Sequence, residues 1–386
     1  MRLPTVRLAA LGMIVAAWWG AAFAQEVALD GGLDATAKSV AFTSFQPAGD
    51  HFEFSFPSLD TTSAYTRATI VVEHLPPSSA IVVSGKRMAG ANAQNAHTYS
   101  YPNGSDAAEF VSGVVFGSTL TVAVYAPDIA DVKLSVTKIF RQRNPTRSWE
   151  SIFGEDDERP LLKAQRADIE AAARAVVYIS VITPNWELEN CSGFVIGERL
   201  AMTNNHCVAT AADCASASLV FDYFVDKFES TTMGAQVGCK QVLLTDYALD
   251  FSILEMAEAG PQGLAALALL AVPPEPDEEA VLIHHPGGEP KMVSINGCLP
   301  IELEVTGRGD PPSQQDFSHR CDSAGGSSGS PILVRSRRAE GEFCVGGLHH
   351  WGFVGSGEFV DLNRAVMASA ILAQAQQADI ALPECQ

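Results

Sequence analysis

The first half of this chain has almost no means of covalent bracing. Residues 25–190 contain no cysteine, and all eight cysteines lie between Cys191 and Cys385. None of them forms a Cys-x-x-Cys pair, so the usual close spacing of a structural zinc site is absent. Positive charge is scarce too: 25 Lys and Arg stand against 45 Asp and Glu, a formal net charge of −20. A surface this acidic repels nucleic acid and anionic lipid, which argues against both as partners. Beyond the N-terminus there is no long apolar run, so membrane insertion is not expected. No internal repeat occurs at a solenoid period, which removes the repeat architectures.

What is present divides the chain. Residues 1–24, "MRLPTVRLAALGMIVAAWWGAAFA", carry Arg2 and Arg7, then an apolar stretch, then Ala22-Phe23-Ala24. This pattern is that of a secretory signal peptide, so a secreted (periplasmic or extracellular) protein is expected. An even cysteine count in an exported chain suggests up to four disulfides. Residues 25–140 alternate apolar and polar side chains in short runs such as "HFEFSFP", "ATIVVEHL" and "LTVAVYAP", with Pro-, Gly- and Asn-containing turns between them. That predicts a β-sandwich-like N-terminal domain, serving as a propeptide or an accessory domain. Its histidines, His51, His74 and His97, are isolated. Residues 141–160 are polar and charged and read as a linker, with arginines that suit a processing site. Residues 161–386 return to short strands and glycine-rich turns. The composition predicts helices at about 164–175 and at 362–378.

The second half also holds a candidate nucleophile. A serine hydroxyl reacts only when a base takes its proton and N–H donors stabilise the resulting oxyanion. The stretch "CDSAGGSSGSPIL" at 321–333 sets serines among glycines, where backbone N–H groups can approach a carbonyl. With Ser327 as nucleophile, the frame Gly325-x-Ser327-x-Gly329 would be a nucleophile elbow. That frame needs a helix after the serine, yet Pro331 and a β-like run follow, and His350 comes too soon. With Ser328 as nucleophile, an upstream histidine and acid are needed. "TNNHCV" supplies His206, beside Cys207, which a two-stranded turn would bring to Cys191. "DFSIL" supplies Asp250 at the start of an apolar run, where a carboxylate needs a specific partner.

Those three motifs, in that order, resemble the chymotrypsin-like (trypsin-like) serine peptidases. "VLIHHPGGEPKMVSING" and "GGSSGSPIL" are similar to secreted bacterial lysyl endopeptidases, and "SIFGEDDERP" and "GLHHWG" to glutamyl endopeptidases. The resemblance implies an all-β fold: a chymotrypsin-like double β-barrel with a C-terminal helix, over roughly 155–380. It implies a catalytic triad of His206, Asp250 and Ser328, an oxyanion hole from the N–H groups of Gly326 and Ser328, and no metal or cofactor. Its substrates would be proteins or peptides, and a monomer is expected. Substrate-binding positions would be Asp322 and Ser323 at the pocket floor, with His350, Trp351 and Gly352 lining it. Asp322 would select Lys or Arg; alternatively His350 would meet a substrate glutamate, or Glu358 or Asp361 would supply the acid. Ser327 departs from animal trypsins, which carry aspartate there. Cys298–Cys321 would tie a hairpin ahead of the serine loop, and the four remaining cysteines could pair three ways. His284 and His285 would shape their loop. A silent binding protein on the same fold is the rival class.

Overall fold

The structure is a computed structural model that describes residues 40–385, apart from 57–62, 86–94, 118, 144–148, 154–155, 184–187, 310–311, 336–341, 353–354 and 357–361. Residues 1–24, where a signal peptide is expected, and Glu358 and Asp361 lie outside the described residues. Two sheets build the N-terminal region. One joins Val40–Ala41, Lys133–Arg143, Ser63–His74 and Ala108–Val111, with Val115–Phe116 alongside; the other joins Gln46–Ala48, His51–Phe56, Leu120–Tyr125, Ser79–Gly85 and Ala96–Tyr101. Alternation places Ile70 and Val72 of the first sheet, and Ile81, Val83, Val122 and Val124 of the second, in one core. Burying such β-branched side chains from two inner faces is what stabilises a sandwich.

The C-terminal half begins with a closed six-stranded barrel in the order Val176–Ile182, Leu188–Gly197, Leu200–Thr203, Phe251–Met256, Gln236–Asp246 and Ser218–Val220. A second, ten-stranded sheet follows. Its main path runs from Arg159–Pro160 through Met292–Ser294, Ala280–His284, Pro331–Arg335, Phe343–Trp351, Asn363–Met367 and Asp316–His319 to Pro300–Val305. The two share one continuous core that includes Phe194, Phe251, Ile283, Phe317 and Val366. The arrangement is the mostly-β architecture of the chymotrypsin-like peptidases.

Two local expectations change. The helix expected over 362–378 begins only at Ala368 and ends at Gln377, because Asn363–Met367 is a strand paired with both Asp316–His319 and Phe343–Trp351. Tertiary pairing overrides the Ala-rich helical signal there. The 141–160 segment is also more structured than a spacer. Lys133–Arg143 is one strand, and Trp149–Ile152 pairs antiparallel with Ser323–Ala324 and parallel with Gly355–Ser356.

The N-terminal sandwich is docked on the first barrel through buried polar contacts. Arg67 is almost fully enclosed; its Nη1 donates to Ser180 O at 3.0 Å and its Nη2 to Ser216 O at 2.7 Å, both in the barrel half. Tyr65 joins Tyr178 and Asn190 in a hydrogen-bonded group, with Phe116, Phe140, Val220 and Tyr223 packed around it.

Candidate active site

His206 follows the strand Leu200–Thr203, where a turn closed by Cys207 N–H and Val208 N–H on Asn204 O projects it outward. Asp250 opens the neighbouring strand with a positive φ of +50°, a conformation that aspartate tolerates better than most residues. Asn204 Nδ2 holds the Asp250 carbonyl at 2.7 Å, which fixes the two loops against each other. His206 Nδ1 then lies 2.8 Å from Asp250 Oδ2, and the His206 N–H donates to Oδ1 at 3.0 Å. The carboxylate is wholly buried, whereas the imidazole is partly open to solvent. Burial alone would raise the Asp250 pKa, but His206 and His350 outweigh it and hold the carboxyl well below the usual range.

Ser328 arrives from the second sheet, half-buried. Ser192 N–H donates to Ser328 O at 2.8 Å, and Ser192 adjoins Cys191, whose disulfide to Cys207 sits beside His206. Serine and histidine are thus tied into one frame, although no hydrogen bond joins them among the described residues. Such bonds are often long before substrate binds. At Gly326, φ +93°, an added Cβ would lie only 2.8 Å from His285 O and would clash. Among the described residues neither the Gly326 nor the Ser328 N–H donates to another group, so both can receive an oxyanion.

Ser327, directly ahead of Ser328, is buried and does other work. Its hydroxyl lies 2.8 Å from His284 Nδ1 and accepts from Ala324 N–H at 3.1 Å. His284 Nε2 is 3.4 Å from the buried Glu158 carboxylate. A hydroxyl–imidazole–carboxylate chain therefore braces the serine loop where an aspartate stands in animal trypsins. His285 is set differently: it stacks on Tyr223 and bonds Glu289 O.

The pocket residues are less open than their positions suggest. Asp322 Oδ1 accepts from Phe153 N–H at 2.8 Å and Oδ2 from Asp157 N–H at 3.0 Å. Both oxygens are thus spent on the 149–160 segment. Burial, and the nearby Asp157, push its pKa up to about 7, against the pull of the two N–H donors. Ser323 is buried and its hydroxyl accepts from Asn363 Nδ2 at 3.0 Å. Gly352 is buried and Trp351 half-buried beside it. His350 points inward, away from any pocket: Nδ1 is 3.1 Å from Asp250 Oδ2 and Nε2 is 2.7 Å from Asp316 Oδ2. With a carboxylate on each nitrogen the ring must donate twice, so it is an imidazolium. Burial opposes that charge, but the bonds to Asp250 and Asp316 raise its pKa to about 9.

Two neighbours of Asp250 escaped the sequence reading, Arg308 and Asp316. Both sit on the hairpin between Pro300–Val305 and Asp316–His319, whose only local signal is the glycine-flanked "TGRGD". All eight cysteines are paired, with Cys298 to Cys321, Cys214 to Cys239 and Cys344 to Cys385 completing the set. Cys191, Cys207 and His206 cluster like metal ligands, but the disulfide consumes both sulfurs and leaves one imidazole nitrogen. A separate cleft of about 630 Å³, lined by Leu161, Phe224, Met233 and Lys291 among others, is not lined by His206, Asp250 or Ser328.

With a histidine–aspartate pair on a closed six-stranded barrel and a glycine-framed serine ahead of a strand of the second sheet, the chain is similar to the chymotrypsin-like serine peptidases. Within that class, residues 162–352 match the family described as lysyl endopeptidase, C-terminal domain. An uncharacterized protein, y4fB, of Sinorhizobium fredii is 29% identical over 201 residues, covering 48% of this chain and 29% of that protein. The secreted RxLR effector protein 73 of Plasmopara viticola is 27% identical over 173 residues, covering 42% of this chain and 41% of the effector. The chain therefore spans less than half the length of either relative. Among solved structures, the active form of the Rv3671c protease of M. tuberculosis is 20% identical with a TM-score of 0.43, covering 62% of this chain and 93% of that one.

Proposed function

We propose that this protein is a secreted serine endopeptidase that cleaves peptide bonds through an acyl-enzyme. The observation that carries this reading is the Asp250–His206 pair at 2.8 Å, backed by a second bond from the His206 main chain. Ser328 Oγ attacks the scissile carbonyl while His206 takes its proton; the tetrahedral oxyanion rests on the N–H groups of Gly326 and Ser328. Collapse expels the amine, which receives that proton, and leaves an ester on Ser328. Water, deprotonated by His206, hydrolyses the ester and restores the serine. Four disulfides agree with export to an oxidising compartment.

Cleavage after Lys or Arg is the preferred specificity. It is supported by the lysyl endopeptidase family match and by Asp322, a carboxylate just ahead of the serine loop. For Asp322 to meet a cationic side chain, Phe153 and Asp157 must yield at least one oxygen. Glutamyl specificity through His350 has no support, because both ring nitrogens are engaged by carboxylates. The test is labelling with a fluorophosphonate probe, read by mass spectrometry. Label at Ser328, lost in Ser328→Ala, is expected; an unlabelled wild-type protein would instead make it a silent member of the fold. A peptide library then reads the P1 residue, and a preference for Glu would discard Asp322 as selector.

A further inference from the structure

The hairpin 300–319 reaches Asp250 from two directions. From its tip, Arg308 Nη1 lies 2.8 Å from Asp250 Oδ2 and 3.4 Å from His206 Nδ1, with the guanidinium over the exposed Tyr247 ring at 5.0 Å. From the start of its second strand, Asp316, paired with Val305, grips His350 Nε2, and His350 Nδ1 meets the same Asp250 Oδ2. The tip is held by Gly307 N–H on Ser313 O and by Ser313 N–H on Arg308 O, each 2.8 Å. At Gly307 a Cβ would strike Asp316 Oδ1, so the two ends of the clamp are packed on each other.

The charges can be counted. Asp250 and Asp316 bring two negative charges, and His350 and Arg308 bring two positive ones, so the cluster is neutral before His206 takes up a proton. An aspartate facing histidine alone would present a full negative charge to that proton. The geometry points to Arg308 as a positioning residue that, with Asp316 acting through His350, fixes the orientation and the charge of the triad carboxylate. This rests on the triad reading given above. Arg308 offsets part of the attraction of Asp250 for the imidazolium formed during turnover, and Asp316 keeps His350 from doing so alone. The other groups near His206 are His349, with His319 behind it at 3.0 Å, both pushed down by burial first and therefore neutral.

The rate of Ser328 labelling by a fluorophosphonate, followed against pH, tests the proposal without knowledge of the P1 residue. In Arg308→Gln the acid limb should move to higher pH by about one unit, the size expected for one partly screened charge at this distance. Arg308→Lys should return the limb most of the way, and Asp316→Asn should leave it in place or move it lower. An Arg308→Gln limb that stays put or falls, or an Asp316→Asn limb that rises, overturns the assignment. A wild-type protein that does not label at all fails the triad reading itself. Melting temperatures of the variants separate unfolding from a changed pH profile.

Discussion

Two buried carboxylates in the same half of the molecule have opposite surroundings. Asp250 is met by side-chain nitrogens: those of His206, His350 and Arg308 all approach one oxygen. Asp322 is met by main-chain N–H groups of a single segment, with Asp157 as a like charge nearby. The first stays ionised and poised to guide a proton. The second is pushed up to about 7 and serves as a clasp for the chain that leads into the C-terminal half. Burial costs a carboxylate several kcal/mol in either place; what differs is whether the compensation is charge or dipole. A short motif cannot distinguish them, since each aspartate simply neighbours an apolar or half-cystine strand.

The comparison can be broken most forcefully at Asp250. Asp250→Asn should lower kcat by about 10⁴, the order known for losing the acid of such a triad. A loss under tenfold would remove Asp250 from the triad. Asp322→Ala should act the other way round, on stability first. It orphans two part-buried N–H donors at about 1–3 kcal/mol each, so chemical denaturation should show a loss of about 2–6 kcal/mol. Unchanged stability would mean that the clasp is not formed in solution.

Two smaller effects separate the regions by pH. His350 has a folded pKa of about 9, above its ordinary 6.5, so the stability it contributes is complete below pH 6.5 and is lost as pH rises through about 9. The melting-temperature advantage of wild type over His350→Asn should therefore shrink between pH 6.5 and 9.5. Asp322, raised from 3.8 to about 7, binds more protons folded than unfolded between those values, so its contribution falls with rising pH there. The gap between wild type and Asp322→Asn should shrink between pH 4 and 7.5. If both gaps closed over the same pH range, the two carboxylate environments would not differ as described.

Much of the candidate site was legible in residue types and order. His206, Asp250 and Ser328 could be singled out because a base, an acid and a glycine-framed serine must occur together for such chemistry, and no other serine frame found its partners. The strands of the N-terminal sandwich were legible through their period of two. The surroundings of the pocket were not. Asp322 looked free because its partners, Phe153 N and Asp157 N, are main-chain groups far away in sequence. His350 looked like a pocket residue because nothing local reveals that Asp316 waits on its other side. Asn363–Met367 looked helical from composition until two neighbouring strands claimed it.

Sequence alone determined the local alternation that makes strands, the glycines that permit the turn at Ser328, and the residue types able to move a proton. Those properties depend on neighbours a few positions apart. The tertiary structure decided which eight sulfurs became four pairs, which nitrogens saturate Asp322, and that a distant hairpin brings Arg308 to Asp250. Each of these is a contact between groups separated in sequence, fixed only when strands register across a sheet and the closed barrel and the second sheet pack on one core.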